Sequence, residues 1–173
     1  MIQLEKLTLI EATIQDLDAI YAFQEEVVAS IKDAQWFCPT SKEQYERMLS
    51  GSDLVLKVMD GERMAAFGSM VFAGLSDSNY ASHLEVPKED YGKWVNMDTI
   101  MVHPDYRGLG LQSYLFEQME MRIPRNVKWA AGTVSPYNVF SYRNFEKCGY
   151  QEQKRMNLYG GMLRCIMTKE VNR

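Results

Sequence analysis

Ile100-Met101-Val102-His103-Pro104-Asp105-Tyr106-Arg107-Gly108-Leu109-Gly110-Leu111-Gln112 is the stretch on which the fold turns. Ile100, Met101 and Val102 read as the end of a buried strand. A basic, glycine-rich turn follows, and Ser113 to Arg122 continue as a helix. The backbone N–H groups of Arg107, Gly108, Leu109, Gly110 and Leu111 fall where turn becomes helix, so they lack intrahelical partners. Such amides carry roughly half a positive charge together and attract anions. Glycine allows a phosphate to approach the backbone, and Arg107 adds a permanent cation beside it. The turn suits a pyrophosphate. It is not a Walker loop, because no Gly-Lys-Ser/Thr follows, and it does not complete G-x-G-x-x-G.

Working outward, Val95–Val102 reads as the central strand and Leu109–Arg122 as its helix, ended by Pro124. Val127–Val134 supplies the next strand, so a parallel pair with a right-handed crossover is expected. Asn138–Lys147 forms a capped helix closed by Gly149. Tyr150–Leu158 and Met162–Met167 make a terminal hairpin through Tyr159-Gly160-Gly161. Upstream, Leu4 to Ile10 reads as a first strand. A helix follows from the cap at Thr13 or Gln15-Asp16 to about Ile31, with Leu17, Ile20, Phe23 and Val27 on one face. Thr40 or Ser41 caps a short helix stopped by Gly51. Leu54–Met59 and Met64–Phe72 flank the turn at Asp60-Gly61. Residues 73–94 read as a long loop, broken at Pro87 and lying directly before the central strand, where a connection of this length is usually functional. One α/β domain with a mixed, mostly antiparallel sheet flanked by helices accommodates this order.

At 173 residues, 46% hydrophobic and 24% charged, the chain has the composition of one soluble globular domain. A net charge of −4 argues against broad nucleic-acid or anionic-membrane surfaces, though a local basic patch at Arg107 survives that average. Cys38, Cys148 and Cys165 show no zinc spacing or disulfide framework, which points to a reducing cytoplasm. His83 and His103 have no ligand-pair spacing, so no metal is expected. Glu5 and Lys6 interrupt any signal-peptide pattern, and no run approaches the roughly 20 apolar residues of a membrane span.

The phrase Val102 to Gly110 resembles the acetyl-CoA-binding motif of the GCN5-related N-acetyltransferases (GNAT), whose core is Q/R-x-x-G-x-G/A. Arg107 and Gly110 match it; Gln112 departs, standing where Gly or Ala is usual, so its side chain must point away from the phosphate path. A second phrase is similar to the same family. Asn138 is followed by a small residue three later (Ser141), an aromatic seven later (Phe145), and Gly149-Tyr150. The resemblance runs over nearly the whole chain, 1–173 as one domain, with the coenzyme motifs within 95–150. It implies a sheet whose central strands splay apart and admit the pantetheine arm of acetyl-CoA. Backbone groups of Ile100, Met101 and Val102 would line the arm. Residues Arg107, Gly108, Leu109, Gly110, Leu111 and Gln112 would take the pyrophosphate, with Asn138, Ser141 and Phe145 bounding the other side.

Acetyl transfer to an amine needs the amine neutral, against a free pKa of about 10, and a donor for the carbonyl oxygen. Many members of the family use a Tyr as general acid at the slot that Phe145 fills, and Phe145 cannot donate. Tyr142, one helical turn earlier, is the candidate acid, with Tyr150 or water as the alternatives. Asp98, placed with Ile100 by period-two alternation, is the candidate base, because a carboxylate on an apolar strand needs a reason to be there. Glu25 and Glu26 are weaker candidates. Trp36, Phe37, Tyr80, Tyr91 and Trp94 are expected on the acceptor side. The resemblance implies a small-molecule or protein amine as acceptor, and the terminal hairpin allows a homodimer. A silent acyl-CoA-binding module and a transferase of longer acyl groups are the alternatives.

Overall fold

The computed structural model describes residues 4–171. Strand β1 (Leu7–Glu11) leads into helix α1 (Leu17–Ala29), and α2 (Lys42–Ser50) precedes the hairpin β2 (Leu54–Asp60) and β3 (Arg63–Val71). The central strand β4 (Trp94–Val102) is followed by α3 (Leu111–Glu120), β5 (Trp129–Val134) and α4 (Val139–Lys147). The hairpin β6 (Gln151–Leu158) and β7 (Met162–Glu170) ends the chain. All strands join one sheet in the order β1-β2-β3-β4-β5-β7-β6, antiparallel except for the β4–β5 pair.

The sheet is covered on both faces. On one, Leu115, Phe116 and Met119 of α3 and Phe145 of α4 pack on Leu56, Ala66, Val95 and Met97. On the other, Ile20, Phe23 and Val27 of α1 and Tyr45 and Met48 of α2 pack on Val55, Phe67 and Met101. Neighbouring residues such as Val55 and Leu56 serve opposite cores, which is why β2 and β3 read as nearly unbroken apolar runs.

Several expected boundaries move. Leu4–Lys6 is a 3-10 turn rather than strand, α1 stops two residues before Ile31, and α3 begins at Leu111 rather than Leu109. Gly108 and Gly110 at φ 79° and 78° hold a left-handed backbone, which delays the helix until after Gly110. Strand β5 starts at Trp129 rather than Val127. The long segment before β4 contains two 3-10 turns, Tyr80–His83 and Lys88–Lys93. It is pinned by Asn79, whose side chain donates to the carbonyls of Gly74 and Tyr91, and by Asn96, which accepts from the Tyr80 N–H at 3.1 Å.

Ser41 caps α2 through a reciprocal pair with Gln44. The segment before that cap is held by buried Gln24 of α1. It donates to the Thr40 carbonyl at 2.8 Å and accepts from the Thr40 N–H at 2.9 Å and the Tyr45 hydroxyl at 2.7 Å. This network sets the wall that faces β4. No helix among the described residues is long and apolar enough to cross a membrane.

Candidate active site

Pairing of β4 with β5 runs only from Trp94 opposite Trp129 to Met97 opposite Gly132. Beyond that point the two strands part. A bulge sits at the same level: Ser69 faces Thr99 and Met70 faces Met97, so Asp98 is the extra residue of β4. The bulge changes which backbone groups face outward. Before it, the Lys93 carbonyl faces β5, accepting from Lys128 at 2.7 Å. After it, His103 donates to the Ala65 carbonyl at 2.9 Å and Thr99 to the Ser69 hydroxyl at 3.2 Å, both toward β3. By alternation the N–H and C=O of Ile100 and Val102 turn into the opening. The ring of Phe145 props the strands apart at its base. A Cβ on Gly132 would stand 2.7 Å from two of its ring carbons and 3.1 Å from the Met97 carbonyl.

The parted strands form one wall of a cleft of about 930 Å³. At one end lies the turn before α3, where Gly110 is the cap residue and its α3 amides are open. Arg107 is exposed beside them and donates to the Ser30 hydroxyl at 2.8 Å. Leu109 instead turns its side chain onto the core. Gln112 is drawn toward α4, donating to Ser141 at 3.1 Å and accepting from Asn144 at 2.7 Å. Asn138 caps α4 by accepting from the Ser141 N–H at 3.2 Å. Lys32, Arg107, Arg143, Lys147 and Arg164 line the cleft, and Asp98 is the only carboxylate among the described lining residues. The charge of the cleft therefore opposes that of the chain as a whole.

At the other end stands Asp98. Burial pushes its carboxyl up from the ordinary value, against the opposing pull of hydrogen bonds from Thr99 (3.1 Å) and from Tyr80. The Tyr80 hydroxyl lies 2.9 Å from that of Tyr159, which lies 2.9 Å from the Thr133 hydroxyl on β5. Tyr159, in the β6–β7 turn, is the only non-glycine with positive φ among the described residues, at 50°. That is a costly conformation for a bulky residue, held here by the contacts of its hydroxyl. Arg164 of β7 closes this end. It donates through Nη1 to the carbonyls of Gln35 and Leu163, each at 2.9 Å, and lies 5.8 Å from the centre of the Tyr159 ring.

Ile100, Met101, Val102, Arg107, Gly108, Gly110, Leu111, Gln112, Asn138, Ser141 and Phe145 thus share one cleft with Asp98. Tyr142 does not join them. Its hydroxyl donates to Glu152 of β6 at 2.9 Å, and this bond pushes the phenol up to about 12. Arg155 chiefly holds Glu152 down at about 2, so that carboxylate stays an acceptor. The alternation that placed Asp98 with Ile100 also fails at the bulge: Ile100 packs toward Met119 of α3, whereas Asp98 joins Thr99 and Thr40 on the opposite face. Of the expected aromatics, Trp36, Phe37 and Tyr80 line the cleft; Tyr91 and Trp94 enter a separate small core with Ala131. Glu26 is committed to His103, 2.8 Å away.

Arg164, Tyr159 and Thr133 escaped the reading of the sequence. The one available signal was a lone cation inside the apolar run Met162–Met167. No three His, Cys, Asp or Glu side chains gather as a metal site would need among the described residues.

Residues 22–150 match the family model described as Acetyltransferase (GNAT) family. No curated protein matches the sequence. Among solved structures, the ribosomal-protein-S18-alanine N-acetyltransferase from Escherichia coli is similar at 19% identity. The match covers 96% of this chain and 95% of that one, with a TM-score of 0.71. Arabidopsis thaliana NAA60 in complex with acetyl-CoA matches at 15% identity over 96% and 99% of the two chains, TM-score 0.71. An acetyltransferase of the GNAT family from Streptococcus pneumoniae matches at 15% identity over 95% and 99%, TM-score 0.70. At these identities the likeness is one of fold.

Proposed function

The chain belongs to the acetyltransferase (GNAT) family, and from that premise we propose that it moves an acetyl group directly from acetyl-CoA to the amine of a small molecule. The observation that carries this reading is the parting of β4 from β5 beyond Met97 and Gly132, with open amides at one end and Asp98 at the other. The Arg107 N–H, expected to be free, instead donates to the Pro104 carbonyl at 3.3 Å, so the pyrophosphate takes the amides from Gly108 to Gln112 and the Arg107 guanidinium. Arg143 and Lys147 at the same cleft add positive charge for the coenzyme's phosphates. The pantetheine amides pair with the free backbone edge of Ile100 and Val102.

In the reaction the neutral amine attacks the thioester carbonyl, a C–N bond forms and the C–S bond breaks. Asp98 accepts the proton that the ammonium must lose, and its partly desolvated carboxylate is a better base than an exposed one. The N–H of Ile100 or Val102 stabilises the carbonyl oxygen as it gains charge. With Phe145 in the cleft and the Tyr142 hydroxyl bound to Glu152, α4 offers no phenol to the leaving group. A thiolate of pKa about 8.5 takes its proton from water without great penalty. Alignment of the two reactants supplies much of the rate.

A small acceptor fits better than a protein because Arg164 ties the loop at Gln35 to β7 and closes the acceptor end. A cytoplasmic setting accords with Cys38, Cys148 and Cys165 as free thiols. The test is thiol release from acetyl-CoA across an amine library, with coenzyme binding by calorimetry. Release with at least one amine is expected. Stoichiometric binding without release from any amine would leave a silent acyl-CoA-binding module, and no uptake of the coenzyme would end the reading altogether.

A further inference from the structure

Arg164 is 2% exposed, yet it lines the acceptor end of the cleft. A buried guanidinium ordinarily has a carboxylate partner, because an unpaired charge taken out of water is strongly disfavoured. Here no carboxylate lies within ion-pair distance among the described residues. Its Nη1 hydrogens go to the Gln35 and Leu163 carbonyls, and Nη2 meets the Met162 sulfur, a weak acceptor, at 3.2 Å. Nε–H and one Nη2–H are left without an acceptor among the described residues. Every fully buried side-chain nitrogen or oxygen there does have a partner, so Nε is not fully enclosed, and the cleft is the cavity that Arg164 lines. A guanidinium presents Nε–H and Nη2–H along one edge, spaced for both oxygens of a carboxylate.

Asp98 is the one carboxylate of the cleft among the described residues and is already bonded to Thr99. Tyr80 and Cys38 line the cleft together with Asp98 and Arg164. The same cleft thus holds both a cation with an unfilled edge and a carboxylate.

We propose that the acceptor is an amino acid, held with its carboxylate on the free edge of Arg164 and its amine toward Asp98. The proposal deepens the acetyl-transfer reading and rests on it for the role of the amine. Burial strengthens the selection: an acceptor with no anion leaves a desolvated cation unpaired, so the site rejects it as well as failing to attract it. Depression of the Arg164 pKa by burial is the same cost seen from the protein.

The experiment titrates the twenty free L-amino acids and their primary amides, by calorimetry, into the protein saturated with coenzyme A. Thiol release from acetyl-CoA is read on the same panel. At least one free acid should bind about 100-fold more tightly than its amide, as loss of a charge-assisted pair in a buried site implies. Arg164→Gln should bring acid and amide together, while Arg164→Lys retains part of the preference. Coenzyme A affinity and melting temperature report whether each variant is folded. If Arg164→Gln fails to fold, the acid-to-amide ratio of the unmodified protein decides alone. Equal binding of acids and amides, binding of none of the panel, or an unchanged ratio in folded Arg164→Gln overturns the proposal. Arg164-dependent binding of an acid with no thiol release would uphold the anion seat and overturn acetyl transfer instead.

Discussion

The two ends of the cleft are built on different principles. The coenzyme end is made largely of main chain: a left-handed glycine turn, the first amides of α3 and the free edge of β4 past its bulge. The other end is made of side chains that arrive from far apart, with Tyr80, Asp98, Tyr159 and Arg164 lining it. On the proposed reading, backbone groups give a diphosphate and a pantetheine the same hydrogen bonds whatever the neighbouring side chains are. Side chains from separate elements can each change without disturbing that seat. One chain can therefore hold a fixed co-substrate beside a selective acceptor pocket.

Asp98→Asn should separate the ends most sharply. Loss of a general base lowers kcat/KM by about 10²–10⁴-fold, while calorimetric affinity for coenzyme A stays as it was. The pH dependence has a definite sign. The base acts when ionised, and burial raises its pKa, so kcat/KM should rise with pH through a limb lying above that of an exposed aspartate and absent in the variant. Stability runs the other way. The native state holds the Asp98 proton more tightly than the unfolded chain, so this group's contribution falls as pH rises from the unfolded pKa through the folded one. At neutral pH the variant should melt no lower than the parent, and the gap should close in acid. A variant that loses stability and keeps turnover would refute the assignment.

Gly132→Ala attacks the junction between the ends. Its Cβ would meet the Phe145 ring at 2.7 Å and the Met97 carbonyl at 3.1 Å. Overpacking of this kind costs about 1–3 kcal/mol, readable by urea denaturation, and both ligands should weaken together.

Gly110→Ala tests the coenzyme end by itself. Nothing stands within 4 Å of the added Cβ, so the penalty is conformational: φ is 78°. A left-handed alanine costs about 1–2 kcal/mol; coenzyme A affinity should fall about tenfold, the equivalent of 1.4 kcal/mol, with the acid-to-amide preference retained.

Tyr142→Phe should do least, since its hydroxyl serves neither end. Turnover should stay within about twofold, and stability should drop by about 1 kcal/mol for the lost bond to Glu152. A hundredfold loss of turnover would restore Tyr142 to the chemistry.

Much of this was legible beforehand where neighbours in sequence are neighbours in space. The strand–turn–helix at 100–122, the capped helix from Asn138 and the hairpin at Tyr159-Gly160-Gly161 are local, and each element carries its own periodicity, cap or glycine. Asp98 stands out as a charge on an apolar strand, but alternation assigns it the wrong face, because alternation presumes an unbroken ladder. Tyr142 lies one helical turn before Phe145, and helical spacing alone could not say that it would turn to Glu152 of β6.

By itself the sequence determined the order of elements, the glycine turn before the third helix and the absence of a phenol at position 145, since these depend on residues within one turn or strand of each other. Tertiary structure alone decided the bulge at Asp98, the direction of Tyr142 and the lone charge of Arg164. A bulge is a mismatch between two paired strands, and an unpaired cation is defined by which side chains fail to reach it. Of the two carbonyls that reach Arg164, that of Gln35 lies 129 positions away along the chain.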